Sequence, residues 1–290
     1  MTTNVNQTAG APTPEEMAQA QSVIKAALDE DLGEGDITSE AVIPVEAQFA
    51  GTLSARHDMV VAGLPFIAFA FHQVDPTITV ELLSKDSDYA AAGTVLARVE
   101  GSARNLLGAE RTALNLLQHL SGIATLTRTY AVAMGETQCV LLDTRKTLPG
   151  MRRLAKYATR MGGARNHRMS LGDAVLIKDN HVAVCGSLAG AVHAARAADN
   201  AKVAVECDTL GQVDEAIGAG ADWILLDNMT CDQQRDAVGR VDGRAEVEAS
   251  GGVNLETIAA IAATGVDYVS VGRLTQSAPA VDIGMDWSML

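Results

Sequence analysis

KVAVECDTLGQVDEAIGAGADWILLDN, residues 202–228, contains a whole strand, helix and strand unit. KVAVEC and WILLDN are short apolar runs, and the stretch between them spaces its apolar residues helically from about 210 to 219 before meeting a glycine. Consecutive apolar strands joined through a helix predict parallel neighbours, because parallel strands need a crossover connection. Working outward, CVLLD (139–143), AVLIK (174–178), AEVEAS (245–250) and DYVSVG (267–272) repeat the pattern. Helices are predicted at 151–161, 187–198, 232–241 and 255–263. Six such steps predict a closed or nearly closed α/β barrel. An open doubly wound sheet is the alternative, but its G-x-G-x-x-G fingerprint is missing.

The strand ends carry the polar residues. Asp143 with Arg145 and Lys146 follows the first run, and Lys178 the second. Glu206 ends the third, Asp227 the fourth, Ser250-Gly251-Gly252 the fifth and Gly272-Arg273 the sixth. A lone charge at a strand end is ordinarily a solvated edge. Six converging on one rim instead mark the end of a barrel where active sites are built and where glycine-flanked N–H groups hold phosphate. The stretch from Asp143 to His181 also holds nine of the 22 Lys and Arg residues, in a chain of net charge −14. Such a local positive field concentrates small anions, whereas the overall charge argues against a nucleic-acid or anionic-membrane surface.

Several cations, two isolated carboxylates and a glycine-rich cradle suit a polyanion with hydroxyls and a divalent metal, such as a sugar pyrophosphate. Arg grips carboxylates bidentately and Lys serves phosphate as a compact charge, so the mixture suggests two anionic substrates.

Upstream, residues 1–12 are small and polar and predict a disordered tail. A helix follows over 13–32, then GEGDITS as a loop, with Asp36 and Thr38 read as a turn or helix cap. FAGTLSARH, MVVAG, TITVELL and TVLARVEG read as strands around the helical LPFIAFAFHQV, predicting a separate α+β domain. Residues 102–134 are helical with a break predicted at Ser121-Gly122, and Arg111 within them reads as a solvated charge. Cys139, Cys185, Cys207 and Cys231 are scattered and predict reduced core thiols. His57, His72, His119 and His193 have no identifiable partner and read as structural, and His181 as a hydrogen-bonding support. No apolar run approaches the ~18 residues of a membrane span. With no leader-like N-terminus, the chain is expected to be soluble and unexported.

DTRKTLPGMR, GGARNHR, LIKDNH, VECDT, LLDNM, EASGGV and SVGRLTQSAPAVDIGMD, with GEGDIT and ERTALNLLQHLSGIAT upstream, together resemble quinolinate phosphoribosyltransferases. The resemblance covers nearly the whole chain after the first dozen residues. It implies a type II phosphoribosyltransferase: an open α/β barrel at 122–278, an N-terminal α/β sandwich at 13–121, and a segment at 279–290 returning to the N-terminal domain. It further implies a cytoplasmic homodimer, or a multiple of dimers, using magnesium to join quinolinate to phosphoribosyl pyrophosphate in NAD synthesis. The products would be nicotinate mononucleotide, pyrophosphate and carbon dioxide. By motif, Arg145, His167, Arg168 and Lys178 would face the quinolinate carboxylates, with Lys146 nearby and Arg111 entering from the neighbouring subunit. Glu206 and Asp227 would lie beside ribose and metal, and Ser250, Gly251 and Gly272 would hold the 5-phosphate. Ala164 and Arg273 depart from the usual pattern, with Arg273 either a phosphate contact or solvated.

Two alternatives stay open at this level. One is a related phosphoribosyltransferase with another acceptor, and the other a Schiff-base aldolase using Lys178.

Overall fold

A computed structural model describes residues 10–198 and 202–289, so residues 1–9 of the expected tail lie outside the described residues. In chain order the N-terminal elements are α1 (Pro14–Leu32), α2 (Ile37–Val42), β1 (Gln48–Ala55), β2 (Met59–Val60), α3 (Leu64–Val74), β3 (Thr79–Leu82), β4 (Tyr89–Ala90), β5 (Val95–Ser102) and α4 (Ala103–Ala133). There follow β6 (Val140–Leu142), α5 (Arg152–Gly162), β7 (Val175–Ile177), α6 (Asp179–Cys185), α7 (Leu188–Ala198), β8 (Val203–Cys207) and α8 (Leu210–Gly218). The chain finishes with β9 (Trp223–Asp227), α9 (Cys231–Val241), β10 (Glu246–Ser250), α10 (Ile258–Ala262), β11 (Tyr268–Ser270), α11 (Arg273–Gln276) and β12 (Ile283–Met289). Two compact units result. The first takes the chain through Arg128, Thr147–Gly163 and the chain from Leu274; the second takes Thr129–Lys146 and Ala164–Arg273.

In the first unit, an antiparallel sheet of order β12-β1-β5-β3 packs against helices. The last strand of the chain pairs with β1 along its length, from Ala55 opposite Ile283 to Phe49 opposite Met289. Along α4 the buried residues Leu106, Ala109, Ala113, Leu117, Leu120 and Ala124 recur every three or four positions and form one core-facing stripe. The expected break at Ser121-Gly122 does not occur. Gly122 is present for contact: a Cβ there would lie 2.1 Å from the Pro279 carbonyl oxygen. Likewise, GEGDITS is only partly a loop, because Asp36 accepts the Thr38 and Ser39 N–H groups and starts α2.

The basic residues of α5 do not form a uniformly solvated face: Arg153 is exposed, whereas Lys156 is fully buried. Arg160 forms a bidentate pair with Glu16 of α1, at 2.6 and 3.0 Å. Glu16 is itself fixed in a capping box with Thr13. This part of the positive stretch therefore packs in the first unit.

In the second unit the six parallel strands lie in the order β6-β11-β10-β9-β8-β7. Read around the sheet, that is chain order with one gap between β6 and β7, which defines an open barrel. A doubly wound sheet would reverse direction midway. Beside the gap, Arg165 bridges to Leu142 of β6. No helix among the described residues is long and apolar enough to cross a membrane.

Candidate active site

Because the strands are parallel, their C-terminal ends share one rim. Asp143 directly follows β6 and Lys178 directly follows β7; Asp227 and Ser250 end β9 and β10. Register places Asp227 opposite Ser250 and Glu206 opposite Leu225. Side chains alternate along each strand, so Trp223, Leu225 and Asp227 share one face of β9 with Glu246, Glu248 and Ser250 of β10.

Lys178 and Glu206 form an ion pair across β7 and β8. The same Lys178 donates its backbone N–H to His181 Nδ1 at 2.9 Å, so His181 supports the start of α6. At the end of β9, Asn228 adopts φ +54° and its amide nitrogen donates to Asp227 Oδ2 at 2.7 Å. Facing it, Gly251 and Gly252 both take positive φ, and a Cβ at Gly251 would lie 2.3 Å from Asn228 Oδ1. Only glycine fits this turn, which leaves bare backbone beside Ser250.

Asp143 organises the seam. It is fully buried, accepts Asn166 Nδ2 at 2.6 Å, and accepts the His167 N–H at 2.9 Å. These bonds place the loop that carries Arg168. Burial, then repulsion from Arg145, depresses the Arg168 pKa below the ordinary guanidinium range. The neighbouring Arg145 has a buried Nε with no hydrogen-bond partner. Two guanidinium groups held close, one with an unsatisfied donor, form a site for an anion. Lys146 is exposed beside them. Gly272 is half-buried just beyond β11, and Arg273 is exposed at the start of α11. Arg111 belongs to the first unit, its side chain 66% exposed and 3.5 Å from Glu110.

The roles of Asp143, Asn228 and Glu248 are not legible from spacing alone. In the sequence, Asp143 shows only as a charge after a strand. Glu248 sits fully buried in β10 within AEVEAS, and the alternation of Glu with Val and Ala there is the available signal for a polar barrel interior. Among the described residues no group of three or more His, Cys, Asp or Glu is arranged to hold a metal. Glu206 and Asp227 stand on the neighbouring strands β8 and β9 as separate carboxylates. A cavity of about 540 Å³ lined by Lys202, Asp222, Arg244 and Glu246 opens at the opposite, N-terminal strand ends. Lys202 there pairs with Glu246, and Asp222 with Arg196 at 2.7 Å. These charges satisfy one another.

An open α/β barrel with paired guanidinium groups, a lysine, two rim carboxylates and a glycine turn is an anion-handling barrel of enzyme type. Comparison with known proteins narrows the class. Residues 36–121 match the quinolinate phosphoribosyl transferase N-terminal domain and 123–286 its C-terminal domain. The nicotinate-nucleotide pyrophosphorylase [carboxylating] of Mycobacterium leprae (strain TN) is 44% identical over 278 residues, covering 93% of this chain and 98% of that one. The probable enzyme of the same name from Bacillus subtilis (strain 168) is 42% identical, covering 89% of both chains. Among solved structures, NadC from Streptococcus pyogenes superposes with a TM-score of 0.92 at 39% identity, over 97% of this chain and 99% of that one. The chain belongs to the quinolinate phosphoribosyltransferase family.

Proposed function

We propose that this chain joins quinolinate to phosphoribosyl pyrophosphate and decarboxylates the adduct, giving nicotinate mononucleotide, pyrophosphate and carbon dioxide for NAD synthesis. The observation that carries this reading is the proximity of Arg145 and Arg168, with a buried donor unsatisfied, on the rim that bears Lys178 and Glu206. An acceptor with two adjacent carboxylates supplies the charge these cations lack. Arg145, Arg168 and Lys178 take those carboxylates, with His167 and Lys146 beside them.

The 5-phosphate rests on the backbone of Ser250, Gly251 and Gly272, which anchors the ribose near Asp227 and Glu206. As pyrophosphate departs, positive charge grows on the ribose, and these two carboxylates stabilise it. A magnesium ion held by the pyrophosphate beside Glu206 and Asp227 would offset charge on the leaving group. Attack by the pyridine nitrogen makes it quaternary. The bond from C2 to its carboxylate then breaks, its electron pair staying at C2 beside the cationic nitrogen until protonated. No general base is required, so the protein contributes mainly positioning and electrostatics.

Arg111, exposed on α4, is assigned to the active site of a neighbouring subunit in a homodimer. We place the enzyme in the cytoplasm, in keeping with four cysteines that form no disulfide. A Schiff-base aldolase is less well supported. Lys178 is 43% exposed and pairs with a carboxylate, whereas a nucleophilic lysine needs desolvation or a cationic neighbour. Borohydride with a carbonyl substrate should trap no adduct. Purified chain with magnesium and both substrates should release carbon dioxide in step with nicotinate mononucleotide; absence of carbon dioxide would sink the proposal.

A further inference from the structure

We infer that Glu248 is a positioning residue for the acceptor: it fixes the ring of His167 and thereby the backbone that carries Arg168. The inference rests on the reading of Arg168 as a quinolinate ligand. Glu248 lies on the inner face of β10 with no solvent exposure. Its Oε2 accepts the indole N–H of Trp223 at 2.9 Å and lies 3.3 Å from His167 Nε2. Trp223 is held in turn by stacking on Tyr268, with ring centroids 4.4 Å apart and 12° between planes.

The other ring nitrogen settles the tautomer. His167 Nδ1 lies 2.7 Å from the Arg168 backbone N–H and accepts from it. A neutral imidazole has one donor and one acceptor, so the proton sits on Nε2 and points at Glu248. Both nitrogens are thus engaged within the protein. His167 contributes by holding the Arg168 backbone, and Asp143 holds the same loop through the His167 N–H at 2.9 Å. The loop is fixed from two strands: by Asp143 after β6, and by Glu248 on β10.

A purely structural role explains Glu248 poorly. Val247 and Ala249 beside it are apolar and buried, and a buried carboxylate is unfavourable unless its partners need it. Glu248 Oε1 has no hydrogen-bond partner, so the carboxylate is retained for the two N–H groups that meet at Oε2.

The test uses the full chain and two variants, Glu248→Met, of similar volume without acceptors, and Glu248→Gln, which keeps one carbonyl oxygen. In the parent, ¹⁵N spectra of the His167 ring should show the Nε2–H tautomer. Glu248→Met should mix the tautomers and raise the quinolinate KM about ten-fold, with the phosphoribosyl pyrophosphate KM within about two-fold. Glu248→Gln should recover most of that loss. An unchanged quinolinate KM in Glu248→Met, or equal change in both KM values, overturns the inference. So does an Nδ1–H tautomer in the parent, which decides the matter if Glu248→Met does not fold. Arg168→Ala separates the two readings. If it leaves the quinolinate KM unmoved, the acceptor site itself is wrong; if it raises KM while Glu248→Met does not, only the role of Glu248 fails.

Discussion

Asn166 donates to Asp143 across 2.6 Å, and this bond ties the loop carrying His167 and Arg168 to the end of the first barrel strand. Asp143 also accepts the His167 N–H, so a single buried carboxylate sets both backbone and side chain of the seam. Asp143→Ala strands two donors in a buried place, each hydrogen bond to a charged group being worth about 1.5–3 kcal/mol. The variant should lose at least about ten-fold in kcat/KM for quinolinate, with a lower Tm. Kinetics unchanged from the parent would remove Asp143 from the account.

Gly122 and Gly239 should respond oppositely to the same change. Gly122→Ala drives a methyl group into the Pro279 carbonyl, where overpacking costs on the order of 3 kcal/mol. Gly239, inside α9, has open space for 4 Å around the place a methyl group would take, so alanine there should add about 1 kcal/mol through helix propensity. Denaturant melts of both variants check the pair.

Thiol labelling should sort the cysteines by burial. Cys139 and Cys207 are buried, and desolvation pushes each thiol up to about 12. Cys185 is exposed and Cys231 half-buried, which corrects the expectation that all four are core thiols. Brief alkylation of the native protein should modify Cys185 first and spare Cys139 and Cys207. Peptide mapping reads the outcome directly.

Burial also lowers the pKa of His119, whose Nε2 has no hydrogen-bond partner. The folded pKa lies below the unfolded value, so the unfolded chain binds the proton first as the pH falls. Stability from this group is therefore present above the unfolded pKa of about 6.5 and is lost as the pH falls through it toward the folded value. His119→Gln, which cannot gain that charge, should narrow any Tm difference from the parent, or reverse it in its own favour, between about pH 7 and pH 5.

The barrel was legible because each strand and each strand-end residue is a local pattern, from CVLLD with Asp143 to DYVSVG with Gly272. The observed strands fall within the six predicted runs. Ser121-Gly122 misled because a breaker signal is local, whereas the close approach of Pro279 that calls for glycine comes from 157 positions away. The pairing of the α5 charges is hidden for a similar reason: the partner of Arg160 is Glu16, and no spacing rule links them. Short helices such as α2 and α6 depend on one cap each, which a period of 3.6 cannot register. In the site, cations and rim carboxylates could be read one by one. The contacts around them, the Asn166 bond to Asp143 and the 3.3 Å approach of His167 to Glu248, join residues from different strands and loops and emerge only when the barrel is assembled.

The central claim is that the cations of the rim recognise two carboxylates on one acceptor. Turnover of quinolinate and of nicotinate, compared under the same magnesium and phosphoribosyl pyrophosphate, tests it most directly. A kcat/KM for quinolinate at least about a hundred-fold higher is expected, because nicotinate leaves the rim cations, with the buried Arg145 Nε among them, one carboxylate short. Nicotinate as the better substrate would contradict it.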